Sequence, residues 1–227
     1  HLGRIARSTV AWILVNNDPP AIQPGSRSYA RSWIRDGAET TAALVTSGAP
    51  ADGAAFLRWF AGFQWPSGKI PCCVDARGRD PVPEHDSPGQ FLFATAEYYR
   101  YTRDIGLVAD LWPNLVAAAD YLTRLRAERL TPEFDAPARR LFRGLLPESI
   151  SHEGYAAQPM HSYWDDFFAV RGFRDAAFLA DLMGDTPKAQ AWRATAAAMA
   201  ADVTASIMLA MRQHDIDYVP GAAELGD

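Results

Sequence analysis

An all-α fold of helical hairpins stacked into a toroid is the architecture this sequence predicts, on three observations. Apolar residues recur at helical spacing in one segment after another. No segment of strand length alternates convincingly, apart from short pieces near Lys69–Val74 and Asp217–Val219. Short connections alternate with long irregular ones, which gathers the long loops on one face, where function usually resides.

The elements follow in order. Gly3 to Val15 has helical spacing, and Pro19, Pro20, Pro24 and Gly25 then break the chain. Helices are expected over Asp36–Thr46 and Pro50–Phe63, where Pro50 suits a first turn. Residues 64–86 form a long excursion rich in Pro and Gly; Trp65, Cys72, Val74 and Val82 within it argue for order and a functional loop. Ser87-Pro88-Gly89-Gln90 reads as an N-cap, a proline at N1 and a Gln at N3, opening a helix that runs through Thr102. Phe91, Thr95 and Tyr98 on one face, with Leu92, Ala96 and Tyr99 on the other, imply burial on more than one side. Leu107, Leu111, Leu115, Ala118, Leu122 and Leu125 stripe the next helix. A second excursion covers 131–161, followed by helices over Ser162–Met183 and Thr186–Gln213, the last striped by Trp192, Ala196, Met199, Val203 and Ile207. About seven helices and a loop-like ending from Pro220 predict one domain over 1–227, a toroid incomplete at its C-terminal side.

Composition narrows the function classes. With 48% hydrophobic and 22% charged residues over 227 positions, the chain can bury a real core. A net charge of −5 leaves no basic footprint, so nucleic acid is not an expected partner. No uninterrupted apolar run approaches the ~20 residues a membrane helix needs, so no membrane partner is expected. The adjacent Cys72 and Cys73 read as reduced thiols in a loop or strand edge, since neighbouring cysteines rarely reach disulfide geometry. His85, Asp86, His152, Glu153, His161, His214 and Asp215 offer no i, i+4 histidine pair and no converging set, so neither a catalytic metal nor a cofactor is expected.

Two motifs carry chemistry. Trp33-Ile34-Arg35-Asp36 and Tyr163-Trp164-Asp165-Asp166 each set an indole beside carboxylates at the start of a helix-like stretch. Aromatic faces suit the C–H faces of a sugar ring, and carboxylates suit its hydroxyls, which points to a carbohydrate substrate. Asp36 can accept from adjacent hydroxyls and Arg35 can donate in a fixed fork; Trp33, Trp65 and Trp164 offer flat faces. A surface ion pair and core tryptophans are the plainer reading of the same residues. Asp165 is also open to two readings. Ser162 with an acid three residues on fits a capping box, which would hold the carboxylate ionised and aimed at its own backbone. A general acid instead needs its proton held near neutral pH and must face a cleft; Asp166 and a lid of Tyr163, Trp164 and Phe167 are the groups expected to hold it. Glu148 and Glu153, with His152, read as rim residues or alternative acids.

Together these motifs resemble the six-hairpin glycosidase superfamily, closest to its glucoamylase-like and glucosidase-like members. The resemblance implies an (α/α)6 barrel of twelve helices, of which this chain supplies the first half or so. It makes Trp33–Asp36 similar to a sugar clamp and His85-Asp86-Ser87-Pro88-Gly89-Gln90 similar to a second pocket loop. It places Tyr163-Trp164-Asp165-Asp166 at the general-acid motif. The implied activity is inverting, exo-acting hydrolysis of glycosidic bonds, with Asp165 as acid and the base in the remainder of the barrel beyond residue 227. Phosphorylases and polysaccharide lyases share the barrel and are alternatives, as is a non-catalytic carbohydrate-binding or scaffolding domain.

Overall fold

The computed structural model describes residues 2–25, 30–150 and 158–226. Among these, seven α-helices dominate: α1 (Leu2–Asn16), α2 (Ile34–Thr46), α3 (Pro50–Ala61), α4 (Ser87–Thr102), α5 (Ile105–Ala127), α6 (Tyr163–Leu182) and α7 (Thr186–His214). The fold is all-α, as its periodicity predicts. Local chemistry fixes several ends. Asp104 caps α5 by accepting from the Gly106 and Leu107 N–H groups at 2.9 and 3.3 Å, and Asp185 caps α7 by accepting from Lys188 at 3.1 Å. Each such cap stabilises its helix by about 1 kcal/mol.

The helices form two rows. α2 packs on α4 and α4 on α6, while α3, α5 and α7 each back onto the helix before them. Two backbone approaches set the inner row. The ring of the fully buried Phe56 on α3 lies directly over Gly37 on α2, where any Cβ would collide with it; burying such a ring contributes about 2–3 kcal/mol. Gly89 on α4 faces Gly172 on α6 so closely that a Cβ on Gly172 would sit 2.8 Å from the Gly89 Cα, and one on Gly89 would strike the Phe168 carbonyl. α1 stands largely outside, and among its described residues Val10 and Ile13 pack against the edge of the core.

A small antiparallel sheet in the order β1 (Ser32–Trp33), β2 (Cys73–Asp75), β3 (Gly78–Arg79) ties the start of α2 to the first long loop. Trp33 registers with Cys73 and Ser32 with Val74, and the Ile34 N–H donates to the Cys72 carbonyl at 2.9 Å. Gly78, at φ +103°, makes the β2–β3 turn that a side chain would strain. The strand expected near Lys69–Val74 thus forms slightly later. The one expected at Asp217–Val219 does not form: Asp215 turns the chain in the left-handed region, and Tyr218 and Val219 stay exposed with nothing to pair against. Instead residues 221–223 pair with 161–163, the Tyr163 N–H donating to the Gly221 carbonyl at 3.1 Å and the Ala223 N–H to the His161 carbonyl at 3.0 Å.

Two further expectations shift. Asp86, not Ser87, precedes the first turn of α4, and its carboxyl is turned away to other partners rather than capping. By length and composition α7 is apolar enough to cross a membrane, because alanines supply its apolarity between scattered polar positions. It packs on α6, and Asp202 near its middle is held by Arg126 at 2.5 Å.

Candidate active site

The three inner helices α2, α4 and α6 begin at one end of the molecule, each after a long connection, and their first turns bring the two motifs together. Arg35 on α2 reaches the loop before α4, with Nη1 3.3 Å from Glu84 Oε2 and 3.6 Å from Asp86 Oδ2. From α6, the Trp164 indole N–H donates to the same Asp86 oxygen at 2.9 Å. Asp165 is buried beside them, its Oδ2 accepting from the His85 N–H at 3.2 Å. Asp166 turns the other way and accepts from the Leu146 N–H at 2.8 Å.

The capping reading of Asp165 does not fit this geometry. Ser162 does occupy the N-cap position of α6, but no side-chain capping bond forms there. Asp165 faces the loop of α4, not its own backbone. A helix N-terminus favours the anion by about 1–2 kcal/mol at most, whereas burying a carboxylate costs several. Burial wins, and the neighbouring charge of Asp86 adds to it, so the Asp165 carboxyl is pushed up to about 8. The like charge is therefore Asp86 across the helix pair, rather than Asp166 next door. Asp86 is itself raised by burial, opposed by the Trp164 hydrogen bond and by Arg35, and Asp166 is raised by burial as well. His85 is pushed down to about 4 by burial, then by the charge of Lys69, and so is neutral at pH 7.

Buried polar atoms without a hydrogen-bond partner gather here too. Of the seven such atoms among the described residues, His85 Nδ1, both Gln90 side-chain atoms, Ser149 Oγ and Asp166 Oδ2 lie on the segments that surround Asp165 and Asp86, while Asn17 Oδ1 and Thr41 Oγ1 lie elsewhere. Such atoms are rare in folded proteins and concentrate where a site is built for something other than stability.

The remaining expected residues distribute unevenly. Asp36 is half-buried in the first turn of α2, beside Arg35. Trp33 carries the Arg31 and Arg35 guanidinium groups over its ring, each 5.5 Å from the centroid. Trp65 is similarly occupied, with Lys69 at 5.0 Å and Arg79 at 4.5 Å, and its contacts belong to the β3 side of the loop rather than to the carboxylates. Trp164, 47% exposed, is the open indole. Tyr163 is a core residue and not a pocket wall: it is 1% exposed, with its hydroxyl 2.8 Å from Ser206 Oγ on α7. Adjacent positions on a helix point about 100° apart, so burying Tyr163 is what leaves Trp164 outward. His152 and Glu153 lie outside the described residues.

Glu148 is ion-paired with Arg129, whose Nε also donates to His161 Nε2 at 3.2 Å. His161 Nδ1 is 2.6 Å from Glu224 Oε1, and its backbone N–H donates to the same carboxylate. Burial tends to raise the Glu148 carboxyl, but its own backbone N–H, His161 and Arg129 hold it below the usual range, which suits an anion and not a proton donor. Glu84, Arg129, His161 and Glu224 in these contacts were not expected as site residues, and nothing in their local sequence marks them. Among the described residues, the one set of three histidine, cysteine or acid donors that could hold a metal ion is Cys72, Cys73 and Asp80, on the sheet.

No family model matches this sequence, and no curated protein matches it either. Solved structures do. One named as a glycosidase superposes with a TM-score of 0.65 at 18% identity, over 89% of this chain and 56% of its own. An uncharacterized conserved protein from Thermus thermophilus superposes at 0.62 and 16% identity, over 86% of this chain and 62% of its own. The chain thus has a glycosidase-like helical fold at a distant level of similarity, and spans less than two thirds of the length of these neighbours.

Proposed function

We propose that the chain carries the acid-bearing part of an inverting, exo-acting glycoside hydrolase of the six-hairpin, glucoamylase-like type. Asp165 is the general acid, protonating the leaving glycosidic oxygen. Trp164 offers its face to the sugar ring, and Asp86, Asp36 and Arg35 meet sugar hydroxyls. The base, which activates water on the opposite face of the sugar roughly 6.5–9.5 Å away, belongs to sequence beyond residue 227. One arrangement carries this reading: the buried Asp165 carboxyl, pushed up to about 8 by burial and by Asp86, faces a loop that holds a second acid hydrogen-bonded to the half-exposed Trp164 indole. A carboxyl that holds its proton near neutral pH can serve as a general acid. The likeness of fold to a solved glycosidase points the same way.

The test is Asp165→Asn in the complete protein, assayed on oligosaccharides and on aryl glycosides. Turnover of oligosaccharides is expected to fall by about 10²–10⁴-fold. Aryl glycosides with good leaving groups need less protonation and should lose less. Native turnover of oligosaccharides should decline as pH rises through about 8. Unchanged turnover in the variant would remove Asp165 from the acid role.

A further inference from the structure

Adjacent side chains on a regular strand point to opposite faces, so the thiols of Cys72 and Cys73 ought to diverge. They converge instead, with Sγ atoms 3.4 Å apart, because Cys72 lies in a bend and only Cys73 belongs to β2. Asp80, just past β3, comes back to the same point, its N–H donating to the Cys73 carbonyl at 3.0 Å. The two sulfurs and an Asp80 carboxylate oxygen all lie within 4.8 Å of one another. A cleft of about 210 Å³, lined by Cys73, Asp75, Arg79 and Asp80 among others, gives an ion a way in.

We propose that Cys72, Cys73 and Asp80 bind one soft divalent cation of the zinc class, at a site distinct from the carboxylates around Asp165. On loading, two thiol protons leave to solvent, two metal–sulfur bonds and one metal–oxygen bond form, and a water completes a tetrahedron; no electrons are transferred. Tetrahedral thiolates at about 2.3 Å from zinc stand roughly 3.8 Å from each other. The observed pair therefore has to open by only about 0.4 Å. A disulfide would need closure to ~2.05 Å between adjacent residues, a geometry neighbouring cysteines rarely reach.

Charge also favours the ion. Arg31 Nη1 lies 3.4 Å from Cys73 Sγ and 3.3 Å from Asp80 Oδ2, and Asp75, 2.9 Å from Arg31 Nη2, is also matched by Arg77 at 2.6 Å, so two guanidinium groups face two carboxylates. With neutral thiols, Arg31 balances Asp80. With a dication and two thiolates added, the sum is again zero. Loading thus places no net charge in a buried corner. Because Cys72 and Cys73 pair with Ile34 and Trp33, the ion would pin the start of α2, and with it Arg35.

The experiment titrates the reduced protein with Cd²⁺, following the thiolate-to-metal charge-transfer absorption, with Zn²⁺ as competitor. One ion per chain is expected, together with a rise in Tm on adding Zn²⁺. Affinity should fall at least tenfold in Cys72→Ser and in Cys73→Ser, and less in Asp80→Asn. Absence of the absorption band in the reduced native protein overturns the proposal, and this outcome does not depend on any variant folding. An unchanged band in the Cys72→Ser, Cys73→Ser double variant, with helical circular dichroism intact, overturns it equally.

Discussion

Replacing Asp165 with Asn should stabilise the protein at neutral pH. In the fold this carboxyl keeps its proton up to about pH 8, whereas an unfolded Asp releases it near 3.9. Between those values the folded state binds a proton that the unfolded chain has lost, so stability falls as pH rises, by roughly 1.4 kcal/mol per pH unit. From 3.9 to 7 is about 3 units, which makes the burial of Asp165 cost at most about 4 kcal/mol at pH 7 and about 1.5 kcal/mol at pH 5. Asp86 shares the titration, and the figure belongs to the pair. Asn has the same shape, and its carbonyl can still accept from the His85 N–H. Urea denaturation of native and variant protein at pH 5, 6 and 7.5 provides the measurement. The variant should unfold at higher urea at pH 7.5, with the gap narrowing toward pH 5. A variant less stable than native at pH 7.5, or a gap that ignores pH, would refute the account of why Asp165 is protonated.

Gly89→Ala should destabilise the fold by about 1–3 kcal/mol despite a helix-propensity gain near 1 kcal/mol, because its Cβ meets the Phe168 backbone and not a movable side chain. The same change at Gly3 on α1, with nothing within 4 Å, should be neutral or stabilising; equal urea midpoints for the two variants would contradict the close crossing of α4 and α6. Tyr163→Phe should cost about 1 kcal/mol through the lost bond to Ser206, and leave turnover of the complete protein within about twofold. A large fall in turnover without loss of stability would return Tyr163 to the pocket.

The helices were legible because their signals are local. Period, caps and prolines place every one of them, with predicted ends within about two residues of those observed. The phase of α6 was legible as well: Tyr163, Val170, Phe173 and Ala177 share a spacing that belongs to a buried stripe, and all four are buried. That pattern marks Tyr163 as core from the sequence, though the indole beside it drew both residues into the candidate pocket. What local signals cannot carry is the meeting of Arg35, Asp86 and Trp164, which depends on the register of α2, α4 and α6. Nor do they show that Asp165 turns toward the His85 backbone. Glu84 and Glu224 look like solvated loop acids in sequence, and only the returning chain gives them Arg35 and His161 as partners. Cys72 and Cys73 are free thiols at a strand edge, as read from their adjacency, but their meeting with Asp80 depends on the bend at Cys72 and on the returning chain.

The crossing at Gly89 and Gly172 has a consequence for how such a site can change. At that crossing main-chain atoms of α4, which Asp86 precedes, and of α6, which carries Asp165, come within contact of each other. An exchange at an outward position such as Phe167, 45% exposed, can alter what docks there without touching the bonds that hold Asp86 and Asp165. Under the proposed function, specificity can drift while reactivity stays calibrated.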